Sequence, residues 1–165
     1  MSIGLWVRGA RPKTLVTSIA SVMVGAVMAY VHIERSGTCI AIYPEPASCA
    51  TAREQQTLLM DRFWPVTILC LLVALFLQIA VNYANDYSDG IRGTDAGRDM
   101  DESKSGKPQR LTASGLVPAK HVLFAAMICA AIACICGVVA VVLAQAWWLL
   151  AVGAASLLAG WFYTG

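Results

Sequence analysis

Charge is what this sequence has least of: Asp, Glu, Lys and Arg make up 13% of its 165 residues. A soluble domain carries about 25%. Residues 121–165 contain none of the four. So little charge excludes a disordered chain, which is rich in charge and poor in apolar residues. Cysteine is sparse too, six in all with no Cys-x-x-Cys pair. That excludes a disulfide-stapled secreted domain and the usual zinc spacing. The Gly and Pro residues follow no three-residue period, so the chain is not a collagen-like fibre. A net charge of +2 is far from the basic footprint that nucleic acid requires. What remains is apolar, 58% of the chain, against about 45–50% in a soluble domain. The lipid bilayer accounts for that excess better than a water-soluble core does.

A helix that crosses the hydrocarbon layer needs about 20 mostly apolar residues. Four stretches qualify, 14–33, 63–85, 122–144 and 147–165, with Gln145-Ala146 as the turn dividing the last two. The expected fold is therefore an all-α integral membrane protein with four transmembrane helices in one domain. The spans are rich in Ala, Gly and Val, small residues that let helices approach where lipid supplies no hydrophobic driving force. Trp6, Trp64, Trp147, Trp148 and Trp161 all fall near span ends, where an amphipathic ring prefers the headgroup layer. Val27-Met28-Ala29 resembles a signal-peptidase site, but the charge-free run of 20 residues exceeds the about 7–15 of a cleavable segment.

Lys and Arg set the orientation. Nine lie in the N-terminus (Arg8, Arg11, Lys13) and the loop 86–121 (Arg92, Arg98, Lys104, Lys107, Arg110, Lys120). Three lie in the loop 34–62 (Arg35, Arg53, Arg62). A multi-pass protein of the cell inner (cytoplasmic) membrane is expected, with the N-terminus and the loop 86–121 in the cytoplasm and 34–62 outside. Cys39 and Cys49 share that external loop, where a disulfide and two unrelated thiols fit equally. The other four cysteines read as small apolar packing residues.

The second span ends in Val81-Asn82-Tyr83-Ala84-Asn85-Asp86-Tyr87-Ser88-Asp89. Offsets of 0, 3, 4 and 7 put Asn82, Asn85, Asp86 and Asp89 within about 100° of one helix face. Carboxylates so close repel each other unless a cation neutralises them. Hard oxygen ligands suit Mg²⁺, which keeps waters and completes its shell with substrate phosphates. Gly90 and Gly93 are expected to break the helix and bring Asp95 back to the same site. A plainer account has solvated acids at a helix end and Asn side chains bonding across the bundle. It explains four oxygen-bearing residues on one face poorly. Further along, Lys107 and Arg110 are candidate phosphate ligands, although such residues also serve as topology-setting positives. The loop 86–121 holds six acids and six bases, so it is not a polybasic lipid patch.

Asn85-Asp86-x-x-Asp89 followed by Asp95 resembles the first aspartate-rich motif of the UbiA-type membrane prenyltransferases. Arg11-Pro12-Lys13-Thr14, Asn82-Tyr83-Ala84-Asn85-Asp86, Gln109-Arg110 with Ser114-Gly115, and Tyr163-Thr164-Gly165 resemble one branch, the 1,4-dihydroxy-2-naphthoate polyprenyltransferases of menaquinone synthesis. The resemblance covers most of the chain outside 34–62. It implies a helical bundle around a central cavity with two facing aspartate motifs, of which this chain matches the N-terminal half. A fragment, a split subunit or an inactive truncation is therefore expected, with the missing C-terminal helices as a candidate partner.

The implied reaction is Mg²⁺-dependent transfer of a polyprenyl group from polyprenyl diphosphate to the aromatic acceptor, with tails drawn from the lipid bilayer. Asp86, Asp89, Lys107 and Arg110 would be catalytic. Asn85, Asp86, Asp89 and Asp95 would serve the metal, and Asn82, Asn85, Lys107, Arg110, Arg11 and Lys13 the substrates. Tyr83 and Tyr87 suit either the allylic cation or packing. Two alternatives share the acidic face. One is a UbiA-type enzyme with another acceptor such as 4-hydroxybenzoate; the other is a non-enzymatic membrane cation-binding or transport subunit.

Overall fold

The computed structural model describes residues 3–37, 46–92, 111–112, 115 and 117–164. Its first break is written in Arg11-Pro12. Proline lacks an N–H and fixes φ, so it suits a helix start. Helix α1 (Ile3–Gly9) ends before it and α2 (Pro12–Ser36) begins on it. The junction residue Arg11 has φ 53° and ψ 70°, a left-handed conformation that costs an L-residue about 1–2 kcal/mol.

Helix α3 (Pro46–Arg92) runs for 47 residues, about 70 Å at about 1.5 Å per residue. It overruns both limits read from the sequence. The stretch expected as an external loop is helical from Pro46 onward, because its Ala, Arg, Glu, Gln and Leu are good helix formers with no Gly before Pro65. At the other end Gly90 does not break the helix. One interior glycine costs about 1 kcal/mol against alanine, too little to stop a helix that is already propagating. The stretch expected as a loop from residue 86 is therefore helical as far as Arg92.

Helix α4 (Ala119–Ala144) contains the whole third expected span. Gln145 then takes φ 56°, and the amides of Leu149, Leu150 and Ala151 bond carbonyls three residues back. This tight turn absorbs Trp147 and Trp148, so α5 (Leu149–Thr164) starts two residues later than expected. Among the described residues three helices are long and apolar enough to cross a membrane: Pro12–Ser36, Ala50–Arg92 and Ala119–Ala144. The fourth, with its apolar part at Leu149–Gly160, is shorter. No strand occurs among the described residues.

Helix α3 is the hub and touches every other described helix. Against it α4 presents Ala126, Ala133 and Ala140, all buried, while Phe124, Met127 and Ile135 on its other faces are exposed. Small residues inside and large apolar ones outside suit a bundle immersed in lipid. At one end Phe63 packs edge-on to Tyr30 and Trp64. There Arg62 Nη1 donates to the Leu143 carbonyl (3.3 Å), one of the acceptors left open where α4 ends.

The tighter core is at the opposite end, where Ala10, Tyr83, Leu111, Val117, Val122 and Ala126 form one buried cluster. Gly9 is required there. A Cβ at this position would lie 2.5 Å from Leu111 Cδ1, 2.9 Å from its Cγ and 3.3 Å from Tyr83 Cε1. Gly9→Val is expected to destabilise the protein by about 1–3 kcal/mol, as overpacked cores do. A lowered melting temperature in detergent micelles checks this.

Candidate active site

The four residues picked out by spacing all lie in the last turns of α3, within one arc of about 100°. Packing divides that arc into two pairs. Asn85 and Asp89, one turn apart, are half-buried, whereas Asn82 and Asp86, also one turn apart, are each 3% exposed.

Asn82 turns toward the N-terminal helices. Its Nδ2 donates to the Ala10 carbonyl (2.8 Å) and to Thr14 Oγ1 (3.0 Å). Its Oδ1 accepts from Gln78 Nε2 (3.3 Å). Asp86 turns the other way. Its Oδ2 accepts from the Leu111 amide (2.8 Å) and its Oδ1 from the Thr112 amide (3.2 Å). Charge-assisted bonds of this kind are about twice as strong as neutral ones. Here they fix the segment before α4, in which Leu111 and Val117 are fully buried and the Val117 amide donates to the Leu111 carbonyl (3.3 Å). Gly115, at φ 67°, lies in the turn between them, in a conformation that glycine adopts without steric cost.

Tyr83 settles as a packing residue. It is 7% exposed, its hydroxyl donates to the Trp6 carbonyl (2.9 Å), and its ring meets Trp6 edge-on at 5.6 Å. Tyr87 is partly buried against the same cluster. Arg11 is half-buried at this mouth, and Lys13 is exposed. Asp95, Lys107 and Arg110 lie outside the described residues, as does Cys39 of the candidate disulfide pair. Cys70, Cys129, Cys134 and Cys136 are unbridged thiols.

Among the described residues no three His, Cys, Asp or Glu side chains cluster in a metal-binding group. The other two oxygen-bearing side chains of the face, the Asn85 amide and the Asp89 carboxylate, are half-buried and so lie within reach of the mouth. Sequence reading missed Gln78, Ser18 and Thr112. Gln78 carried a signal, a polar side chain one turn before Asn82 inside an apolar run. Thr112 carried none, yet its Oγ1 is buried with no hydrogen-bond partner among the described residues.

Residues 57–165 match the UbiA prenyltransferase family. The chain is 39% identical over 164 residues to 1,4-dihydroxy-2-naphthoate octaprenyltransferase of Mycobacterium tuberculosis. It is 35% identical over 164 residues to the Mycobacterium leprae protein of the same name. Both alignments cover 99% of this chain and 44% of the relative, so the chain spans less than half the length of these proteins. A protein of that name from Haemophilus influenzae is 30% identical over 117 residues, 71% of this chain and 28% of its own length. No solved structure matches the chain. With its acidic helix end inside the matched residues and apolar helices built for lipid, the chain belongs to the UbiA prenyltransferase family.

Proposed function

We propose that this chain supplies the diphosphate-binding half of a membrane enzyme that transfers a polyprenyl group from polyprenyl diphosphate to 1,4-dihydroxy-2-naphthoate, in menaquinone synthesis. The observation that carries the reading is the half-buried Asn85–Asp89 pair at the end of an apolar helix. The names of the aligned relatives support the acceptor.

The donor set fits Mg²⁺. One carboxylate and one amide oxygen are what this ion takes from a protein when phosphate oxygens and water complete its shell. The orphaned Thr112 hydroxyl also suits an oxygen-rich ligand at this mouth. Asn85 and Asp89 would hold the ion, with Asp86, Asn82 and Asp95 as their support. Bound there, it would supply positive charge to the departing diphosphate.

The chain's own residues do the rest. Lys107 and Arg110 bind the diphosphate, Arg through paired N–H donors and Lys as a point charge. As the allylic C–O bond breaks, its electron pair leaves on the diphosphate, where these cations lower the barrier. The apolar helix walls exclude water from the allylic cation. The acceptor ring supplies the electron pair of the new C–C bond and loses its carboxylate as CO₂. The excess of Lys and Arg on this side supports a cytoplasmic mouth, and with it the reading of a multi-pass protein of the inner membrane.

The test is prenyl transfer by the complete protein in lipid vesicles. Product is expected from 1,4-dihydroxy-2-naphthoate, only with Mg²⁺, and not from 4-hydroxybenzoate; transfer to neither acceptor defeats the reading. Arg110→Ala should raise the KM for polyprenyl diphosphate about tenfold or more, since a bond to a charged group is worth about 1.5–3 kcal/mol. The KM for the acceptor should stay unchanged, and an equal rise in both removes Arg110 from the diphosphate site.

A further inference from the structure

Behind the Asn85–Asp89 pair, α3 carries a second line of polar groups directed at the N-terminal helices. Ser18 Oγ donates to Gln78 Oε1 (2.9 Å). Gln78 Nε2 donates to Asn82 Oδ1 (3.3 Å), and Asn82 Nδ2 donates to Thr14 Oγ1 (3.0 Å). Thr14 Oγ1 in turn donates to the Arg11 carbonyl (2.9 Å). Every link runs in the same sense from Ser18 to Arg11, so each bond polarises the next. Asn82 also donates to the Ala10 carbonyl (2.8 Å). The ladder therefore ends on the two carbonyls that flank Arg11, one in each peptide group bounding the residue with φ 53°.

Two facts about this arrangement ask for a reason. A glutamine in a lipid-spanning helix is unfavourable unless it is used. A non-glycine residue in the left-handed region persists only where its surroundings over-determine it, and such residues gather at functional sites. Arg11 is also half-buried at the same mouth, and its guanidinium has no partner among the described residues.

We propose that Gln78 and Asn82 are positioning residues: through Thr14 they lock the Arg11 turn so that its guanidinium meets the diphosphate of the prenyl donor. The inference rests on the function proposed above. Gln78 itself touches no substrate, and its effect travels through Asn82 and the turn.

The experiment compares Gln78→Leu, Asn82→Ala and Gln78→Glu in the complete protein in lipid nanodiscs. Gln78→Leu and Asn82→Ala should each raise amide exchange across residues 10–15 and the KM for polyprenyl diphosphate about tenfold, the equivalent of one lost hydrogen bond. In Gln78→Leu the turnover number and the Mg²⁺ concentration for half-maximal rate should stay near those of the unaltered protein. Gln78→Glu keeps an acceptor for Ser18 and, protonated, a donor for Asn82, and should restore both readouts. Unchanged exchange in both disrupted variants overturns the ladder. Raised exchange with an unchanged KM overturns the positioning role and leaves only a structural one. If the unaltered protein transfers no prenyl group and binds no inorganic pyrophosphate with Mg²⁺, the functional reading fails and the substrate half of the proposal with it. The exchange comparison is read independently of that result.

Discussion

Replacing Asp89 by alanine is expected to abolish Mg²⁺-dependent prenyl transfer while leaving the protein folded in the membrane. Asp89 is a half-buried carboxylate of α3 at the mouth, whereas the Asp86 carboxylate is buried and bonded to two backbone amides. Removing a group that stabilises developing negative charge typically costs about 100-fold to 1000-fold in rate, and a loss of that size is expected here. The fold should survive, because the buried hydrogen bonds of Asn82, Tyr83 and Asp86 at this end are kept in the variant. Asp89→Asn keeps an oxygen ligand and loses the charge, so it should retain some activity at a raised Mg²⁺ requirement. Rates measured across a Mg²⁺ titration, with the melting temperature as control, check both variants. Full activity in Asp89→Ala removes the metal from this position.

The apolar spans were legible because hydropathy reports where lipid is. The runs 14–33 and 122–144 fall inside Pro12–Ser36 and Ala119–Ala144. Helix ends were not legible from the same signal, since a helix continues past the lipid wherever propensity allows. The segment between Pro46 and Phe63 and the turn through Gly90 show this. The candidate site was legible as a face, because the 3.6-residue period collects Asn82, Asn85, Asp86 and Asp89 on one side. Its division was not. An arc of about 100° is wide enough to meet α2 along one edge and residues 111–112 along the other, and only tertiary packing decides which side chain meets which. Thr112 illustrates the limit: nothing in its neighbourhood in the chain marks a buried hydroxyl.

Asp86 is where that division has its largest consequence for stability. Asp86→Ala would strip the Leu111 and Thr112 amides of their acceptor beneath a cluster that excludes water. Each buried donor left unpaired costs about 1–3 kcal/mol. With Thr112 only part-buried, a total of about 2–4 kcal/mol is expected on that scale. Asp86→Asn should lose roughly half as much, since its one carbonyl oxygen serves one amide while its NH₂ opposes the other. The pair of variants also separates anchoring from metal binding. If the carboxylate acts through the backbone, both variants lower the melting temperature, with or without Mg²⁺, and Asp86→Asn leaves the Mg²⁺ dependence of transfer near normal. If it is instead a direct ligand, as its place in the aspartate motif implies, Asp86→Asn shifts that dependence as far as Asp89→Asn does. Because Arg110 directly precedes Leu111, an anchoring role further requires that Asp86→Ala raise the KM for the diphosphate. A carboxylate already bonded through both oxygens to the backbone makes the first outcome the expected one.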